Sequence, residues 1–503
     1  MATYRYATYP SIKVLDAAGN QVQHALWGDW VRVDGPADAA GLVPVRVRGV
    51  DGFVNEGDLQ EERVLEVAFI DVGQGDGCLV VTPDDKKIVI DAGQRDNMYR
   101  YLRWRFDFRG GLRTLDAAII THPDADHYYG FKPLFQEPNL KFKAVLHNGI
   151  MEQTGKPLGA TRKVGGRTYL TDLIETRSDL DAFLADKSRY GQKHYANLLD
   201  GARTSLVSAG GDIQMVHAPA DPTEVAYLPS SLVGTKVKFR VLGPVIEPDA
   251  AGKARLRTFG DKPGSAGSDD GKTKNGHSIV LILEYGALRI LLGGDLNSSA
   301  EAFLLTHYTG LAWPPADAGA ATTMAEAGRA TFGADIAKSC HHGSADFTDV
   351  FLGSINAAAT VISSGDEESH AHPRSDTLGA VGLAGRGWRP LLFSTELNRS
   401  TREDEAGLPA ELRKLLVKLD AATDMAEIQT LRQERDALLA TLAQRNVTVY
   451  GAIQLRTDGE KALLAYKLEK PRTGKSGGRS TLTAWDLYRL ERTGGGPLVY
   501  VKE

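Results

Sequence analysis

Four side chains that can bind metal ions fall within six positions, His122, Asp124, Asp126 and His127, directly after the apolar run Ala117-Ala118-Ile119-Ile120-Thr121. Imidazole and carboxylate are borderline and hard donors, a mixture that suits zinc or manganese. A strand that stops just before them leaves irregular backbone, which can turn several side chains toward one point. Gathering two carboxylates at such a point without a cation would set like charges against each other. The competing description is a polar loop whose Asp and His residues cap a following helix. With a metal bound, the chemistry is hydrolysis by an activated water, and Asp126 is the carboxylate placed to meet it.

Three later groups could complete the site. Asp295 follows the apolar strand 288–292 and the pair Gly293-Gly294, which lets backbone approach a site closely. Alone, a strand-end Asp is as often a turn residue. His341-His342-Gly343-Ser344 again follows a strand, and neighbouring side chains diverge, so the two histidines can divide two tasks. His341 is taken as the metal ligand and His342 as the group that contacts substrate or orders the ligands, with Ser344 beside the substrate; the reverse assignment stays open. His372, next to Pro373, is the candidate to meet a leaving group or hold a phosphate oxygen, and His370 is its rival.

The His-x-Asp-x-Asp-His spacing resembles the first metal motif of the metallo-β-lactamase superfamily, whose usual form has a second histidine where Asp124 stands. That departure is similar to the branch formed by the hydrolase domain of the ComEC competence proteins. So are Phe69-Ile70-Asp71-Val72-Gly73-Gln74-Gly75-Asp76, Ile90-Asp91-Ala92-Gly93, Leu291-Leu292-Gly293-Gly294-Asp295, the His341 group and His372-Pro373, in that order along the chain. The resemblance implies an α/β fold, an αββα sandwich, holding two divalent ions, Zn2+ or Mn2+, bridged by Asp295. It places His277 where the superfamily's middle histidine ligand lies, although Asn275 and Ser278 fit the branch's Asn-x-x-Ser pattern in the same segment. Asp91 resembles a residue that supports the first motif by hydrogen bonds rather than by ligation. Asp71 and Asp76 resemble it more loosely, and Asp76 is equally well explained as a turn former.

Between Arg95 and Arg113, arginines including Arg100, Arg103, Arg105 and Arg109 are interleaved with Tyr99, Tyr101, Trp104, Phe106 and Phe108. Guanidinium groups for phosphates and rings for bases make Arg100, Arg103 and Arg105 candidate contacts at a nucleic-acid entrance. The alternative is an amphipathic helix with buried aromatics and a solvated arginine face. The ComEC resemblance implies DNA degradation, so the leading reading is a phosphodiesterase that cleaves DNA. Hydrolysis of a small substrate (cyclic nucleotide, phosphate ester, lactam or thioester) and non-catalytic partner binding are the other readings.

Positioning these residues requires a layered α/β domain. Strands are expected near 67–70, 78–81, 87–90, 116–122, 236–242, 278–284, 288–294, 335–340 and 359–364, with helical patterns between many of them. Residues 1–62 read instead as short alternating strands of a small β-barrel, and Gly49 to Leu59 resembles the closing strands of bacterial SH3-like domains. The remainder, 63–503, would be the hydrolase domain. It carries a polar, Gly-rich loop at 246–276, a flexible charged segment from Lys467 to Arg479, and an α-hairpin at 408–446 with Asp424 and Glu427 capping its second helix. The barrel or the hairpin could recruit a protein partner. A formal charge of -5 excludes a global positive field, so any nucleic-acid surface must be local. Two cysteines exclude a disulfide scaffold and point to a reducing compartment. With no apolar run long enough to span a bilayer, the expected location is the cytoplasm.

Overall fold

The computed structural model describes residues 3–207, 211–260, 269–365, 370–396, 408–445, 452–492 and 494–502. Its centre is a pair of facing sheets. One has ten strands in the order 212–215, 140–147, 113–120, 87–92, 77–81, 65–69, 453–457, 462–476, 479–492, 498–501. The other has seven, running from 226–227 through 238–243, 280–285, 288–292, 336–338 and 359–362 to 391–394.

Strand alternation decides which side chains enter which layer. Val67, Phe69, Ala117 and Ile119 face the second sheet and pack with Phe239, Leu281, Leu283 and Ile290 in one buried core. Their neighbours Ala68, Ile70, Ala118 and Ile120 point the other way, under Met98, Leu102, Phe131 and Leu199 from helices on the outer face. Both faces of these strands are therefore apolar, which is why they read as continuous hydrophobic runs. Leu304, Leu305, Met324, Phe332 and Phe351 cover the second sheet from outside, so helices flank both sheets. Among the described residues no helix is long and apolar enough to cross a membrane.

Strands 87–92, 113–120 and 140–147 are parallel, as are 288–292, 336–338, 359–362 and 391–394. The loops leaving their carboxyl ends, 121–127, 293–297 and 340–344, carry the candidate site residues, in the crevice where α/β sheets bind ligands.

Residues 3–60 form a separate seven-stranded antiparallel sheet. The stretch Ala25 to Val33 breaks into two strands at Trp27–Asp29, where Asp29 Oδ2 accepts the Leu26 N–H at 2.9 Å. This unit docks on the chain's own hairpin 462–492: the Trp485 indole N–H donates to His24 O at 3.1 Å, and Leu26, Trp27 and Val64 pack on Leu463, Ala465 and Ala484.

Several elements depart from the expected pattern. The segment from Lys467 to Arg479 is part of two long paired strands rather than a flexible loop. Within 246–276, residues 256–257 pair with 167–170 and 270–276 form a helix, while 261–268 lie outside the described residues. Helices occupy Leu408–Ala421 and Met425–Arg445, and Asp424 Oδ1 accepts the Ala426 N–H at 3.1 Å, as a helix-start residue does.

Glu301, on helix Ser298–Thr309 behind the second sheet, is 1% exposed, and its carboxylate accepts the Thr348 N–H at 2.6 Å. Burial pushes its pKa up to about 8 from an ordinary 4.5. Because the folded value lies above the unfolded one, the folded chain holds a proton that the unfolded chain gives up. Stability is therefore fullest below pH 4.5 and falls as pH rises toward 8. Glu301→Gln keeps the acceptor and removes the titration. Its unfolding midpoint should match the parent at about pH 4 and exceed it at about pH 7, by roughly 2–4 kcal/mol in stability.

Candidate metal centre

Asp91 ends a central strand with its backbone in the left-handed region, φ 54°. This turns its buried carboxylate toward the next strand's loop. Oδ1 accepts the Thr121 N–H at 2.8 Å, and Oδ2 accepts the Thr121 hydroxyl at 2.7 Å and lies 2.8 Å from His127 Nδ1. A proton on Nδ1 is thereby fixed, and the lone pair of His127 Nε2 faces inward.

His342 is set in the same sense from the opposite sheet. Its Nδ1 lies 3.0 Å from Ser363 O and 3.1 Å from Asp76 Oδ1, which leaves Nε2 pointing to the interior. The Nε2 atoms of His127 and His342 are 3.2 Å apart, and each is 3.1 Å from Asp295 Oδ2. Asp126 Oδ2 stands 3.6 Å from His342 Nε2. His122, fully buried, directs Nδ1 toward Ser278 Oγ at 3.3 Å, while its Nε2 has no hydrogen-bond partner. Donor atoms of His122, His127 and Asp295 lie within 4.8 Å of one another, as do those of Asp126, His127 and His342.

The loops interlock tightly enough to demand glycine. A Cβ on Gly75, φ 102°, would lie 1.7 Å from Asp126 O, and one on Gly294, φ 54°, would lie 2.7 Å from Ser278 Cβ. Ser278 uses that proximity: its hydroxyl oxygen accepts the Asp295 N–H at 3.0 Å.

Electrostatics follow from this crowding. Burial opposes charge on His127, but Asp295 and Asp91 outweigh it and hold the imidazole well above its ordinary value. His342 behaves likewise, pushed up to about 10 against burial by Asp295 and Asp76. Burial would raise Asp295, yet His127 and His342 hold it well below the usual carboxylate range. His122, desolvated and repelled by His127, is held well below neutral. The carboxylates thus call for positive charge at the point where the two Nε2 atoms meet. A divalent cation bound there would supply it. The unpartnered His122 Nε2 and the mixed His/carboxylate donor set fit such an ion.

Two lysines escaped the sequence reading. Lys338 is buried, ion-paired with Asp76, donates to Gly294 O at 3.0 Å and lies 3.7 Å from Asp295 Oδ1. Lys274 is ion-paired with Asp124 and lies 3.5 Å from Glu152 Oε1. A lysine in the apolar strand Ile336-Ala337-Lys338 was a usable signal. Lys274 gave none, because its segment read as a polar loop.

Several expected residues fall elsewhere. His277 is not among the converging donors: its Nε2 lies 2.6 Å from Arg257 O and its ring packs on Phe259, so Ser278 and Asn275 face the site instead. His341, turned by φ 48°, is not among the converging donor groups that include His342. Asp124 lies beside the cluster against Lys274, 3.7 Å from His122 Nε2. His372 meets the His341 ring edge-on, centroids 5.7 Å apart, and lies roughly parallel to His342 at 6.4 Å, with His370 5.8 Å beyond. The Ser344 hydroxyl accepts the Asp346 N–H at 3.2 Å within its own loop. The arginine segment is an amphipathic helix, Asn97–Phe106, burying Met98, Tyr101 and Leu102. Arg100 pairs with Asp96 one turn earlier, Arg103 is exposed, and Arg105 turns to Glu66 beside the N-terminal sheet.

Facing sheets flanked by helices, with a His/Asp cluster at the strand ends, define a metallohydrolase architecture. Residues 71–337 match the Metallo-beta-lactamase superfamily, and the chain belongs to it. Along 332 residues it is 22% identical to ComE operon protein 3 of Bacillus subtilis (strain 168), an alignment covering 62% of this chain and 30% of that protein. The chain therefore spans under a third of that relative's length.

Metal titration by calorimetry should separate the two histidines. His342→Ala is expected to weaken Mn2+ or Zn2+ binding by more than about 100-fold, the upper range for loss of a supporting group. His341→Ala should change it by less than about tenfold.

Proposed function

We propose that this chain is a metal-dependent phosphodiesterase that cleaves DNA. The observation that carries the reading is the convergence of His127 Nε2, His342 Nε2 and Asp295 Oδ2, each pair 3.1–3.2 Å apart, in a buried and anionic crevice. With His122 and Asp126 these groups would hold divalent ions, two of Zn2+ or Mn2+ by resemblance to the superfamily. When bound, such ions would supply an activated water and neutralise charge developing on a phosphoryl group. Asp126, whose carboxylate is partly exposed, orients the water and accepts its proton at Oδ2. Asp91 keeps the His127 ring in register through Nδ1. His372, above His342, delivers a proton to the departing oxygen.

DNA is favoured over a small substrate by resemblance to the ComEC branch, with which the similarity to ComE operon protein 3 is consistent. The helix arginines do not add support, because Arg100 pairs with Asp96 and Arg105 with Glu66. The test is degradation of labelled single- and double-stranded DNA and RNA with added Mn2+ or Zn2+, comparing the parent with an equally folded Asp126→Ala. Metal-dependent DNA cutting, reduced at least about 100-fold in the variant, is expected. Absence of cutting on every polymer, with turnover of a cyclic nucleotide or phosphate ester, would replace this reading with the small-substrate one.

A further inference from the structure

A second cavity, of about 340 Å³, opens between the N-terminal sheet and the hydrolase domain. None of the converging metal-site donors lines it. Its walls include the turn at Asp29 and Trp30, Arg48 between strands 42–47 and 50–55, Glu66 on strand 65–69, the end of helix Asn97–Phe106 at Trp104 and Arg105, strand Ile453–Thr457 at Arg456, and the hairpin at Trp485.

Three guanidinium groups meet only two carboxylates there. Arg48 holds Asp29 through two nitrogens, at 2.8 and 2.9 Å. Glu66 is shared by Arg456 at 3.2 Å and by Arg105 at 3.3 Å, and Arg105 reaches it through Nη2 alone. Arg456 is 2% exposed, and its Nε–H is buried without an acceptor. A buried donor left without an acceptor is unfavourable, and an oxygen from a bound anion would satisfy it. Beside this unbalanced charge stand two indoles that remain open to solvent, Trp30 at 41% and Trp104 at 44% exposure. Large rings left exposed at the mouth of a cavity provide flat faces for stacking.

We infer that this cavity binds a nucleotide, its phosphate on Arg105 and Arg456 and its base against Trp104. Guanidinium forks match phosphate oxygens, and an indole stacks on any base. The volume lies at the lower end of small-ligand sites and admits one nucleotide, not a helix. The ligand is either a free mononucleotide or the unpaired terminal nucleotide of a strand. The inference does not depend on whether the metal centre cuts nucleic acid.

The test titrates the full chain with adenosine 5′-monophosphate, following tryptophan fluorescence and heat. Adenosine, inorganic phosphate and a 5′-phosphorylated single-stranded tetranucleotide serve as comparison probes. Binding of the monophosphate with quenching is expected, with adenosine and phosphate each at least about tenfold weaker. Trp104→Ala, at an exposed position, and Arg105→Gln should each weaken it at least about fivefold, while Asp126→Ala leaves it unchanged. Tetranucleotide binding tighter than the monophosphate would identify a strand end as the source, and weaker binding a free nucleotide. No binding of monophosphate or tetranucleotide at millimolar concentration would overturn the inference. So would binding lost in Asp126→Ala but kept in both cavity variants.

Discussion

Asp91 is buried at the end of a strand, and its two carboxylate oxygens hold the Thr121 N–H, the Thr121 hydroxyl and the His127 ring. Everything on the first sheet's side of the site is referred to this one group. It sets where the loop 121–127 leaves strand 113–120 and which nitrogen of His127 faces inward. It achieves this from a backbone conformation that L-residues seldom adopt, φ 54°, so the surrounding packing must hold it there. The second sheet answers with Ser363 and Asp76, which orient His342 to the same point. The two sheets therefore meet not only through apolar packing but through two rings whose Nε2 atoms are 3.2 Å apart.

That arrangement concentrates negative charge and distributes its neutralisation unequally. Lys338 compensates Asp76 from beneath, and Lys274 compensates Asp124 at the side. Asp295 lies 3.7 Å from Lys338 and leans on the imidazoles instead. The point between His127, His342 and Asp295 is thus where a metal has most to offer.

Much of this was legible in the chain. The apolar runs leading into His122, Asp295 and His341 marked strands and located the loops after them, and period-two alternation explains why both faces of 65–69 and 113–120 are buried. Asp91 was legible as a support. What sequence could not resolve was rotation about single residues. His341 and His342 both adopt positive φ, which decides which ring enters the cluster, and no composition rule orders two neighbouring histidines. His277 and Ser278 differ by one position and face opposite environments for the same reason. Arg100 and Arg105 meet different partners, Asp96 and Glu66, because a helix carries its residues through a full turn, so arginines close in sequence reach different surroundings. The charged stretch 467–479 misled because exposed paired strands can be as polar as a loop.

The ten-stranded sheet joins distant parts of the chain. Strand 453–457 lies antiparallel to 65–69, and the hairpin beyond it carries the N-terminal sheet, with His24 and Trp485 bonded across 461 positions. Such contacts close very long loops, so they form late and are favoured only after much else is in place. During synthesis, strand 65–69 would emerge with one edge unpaired until residues 453–457 follow. A long apolar edge waiting in this way is a template for pairing with another chain. The length of the connection therefore bears on the yield of folded protein, apart from any effect on chemistry.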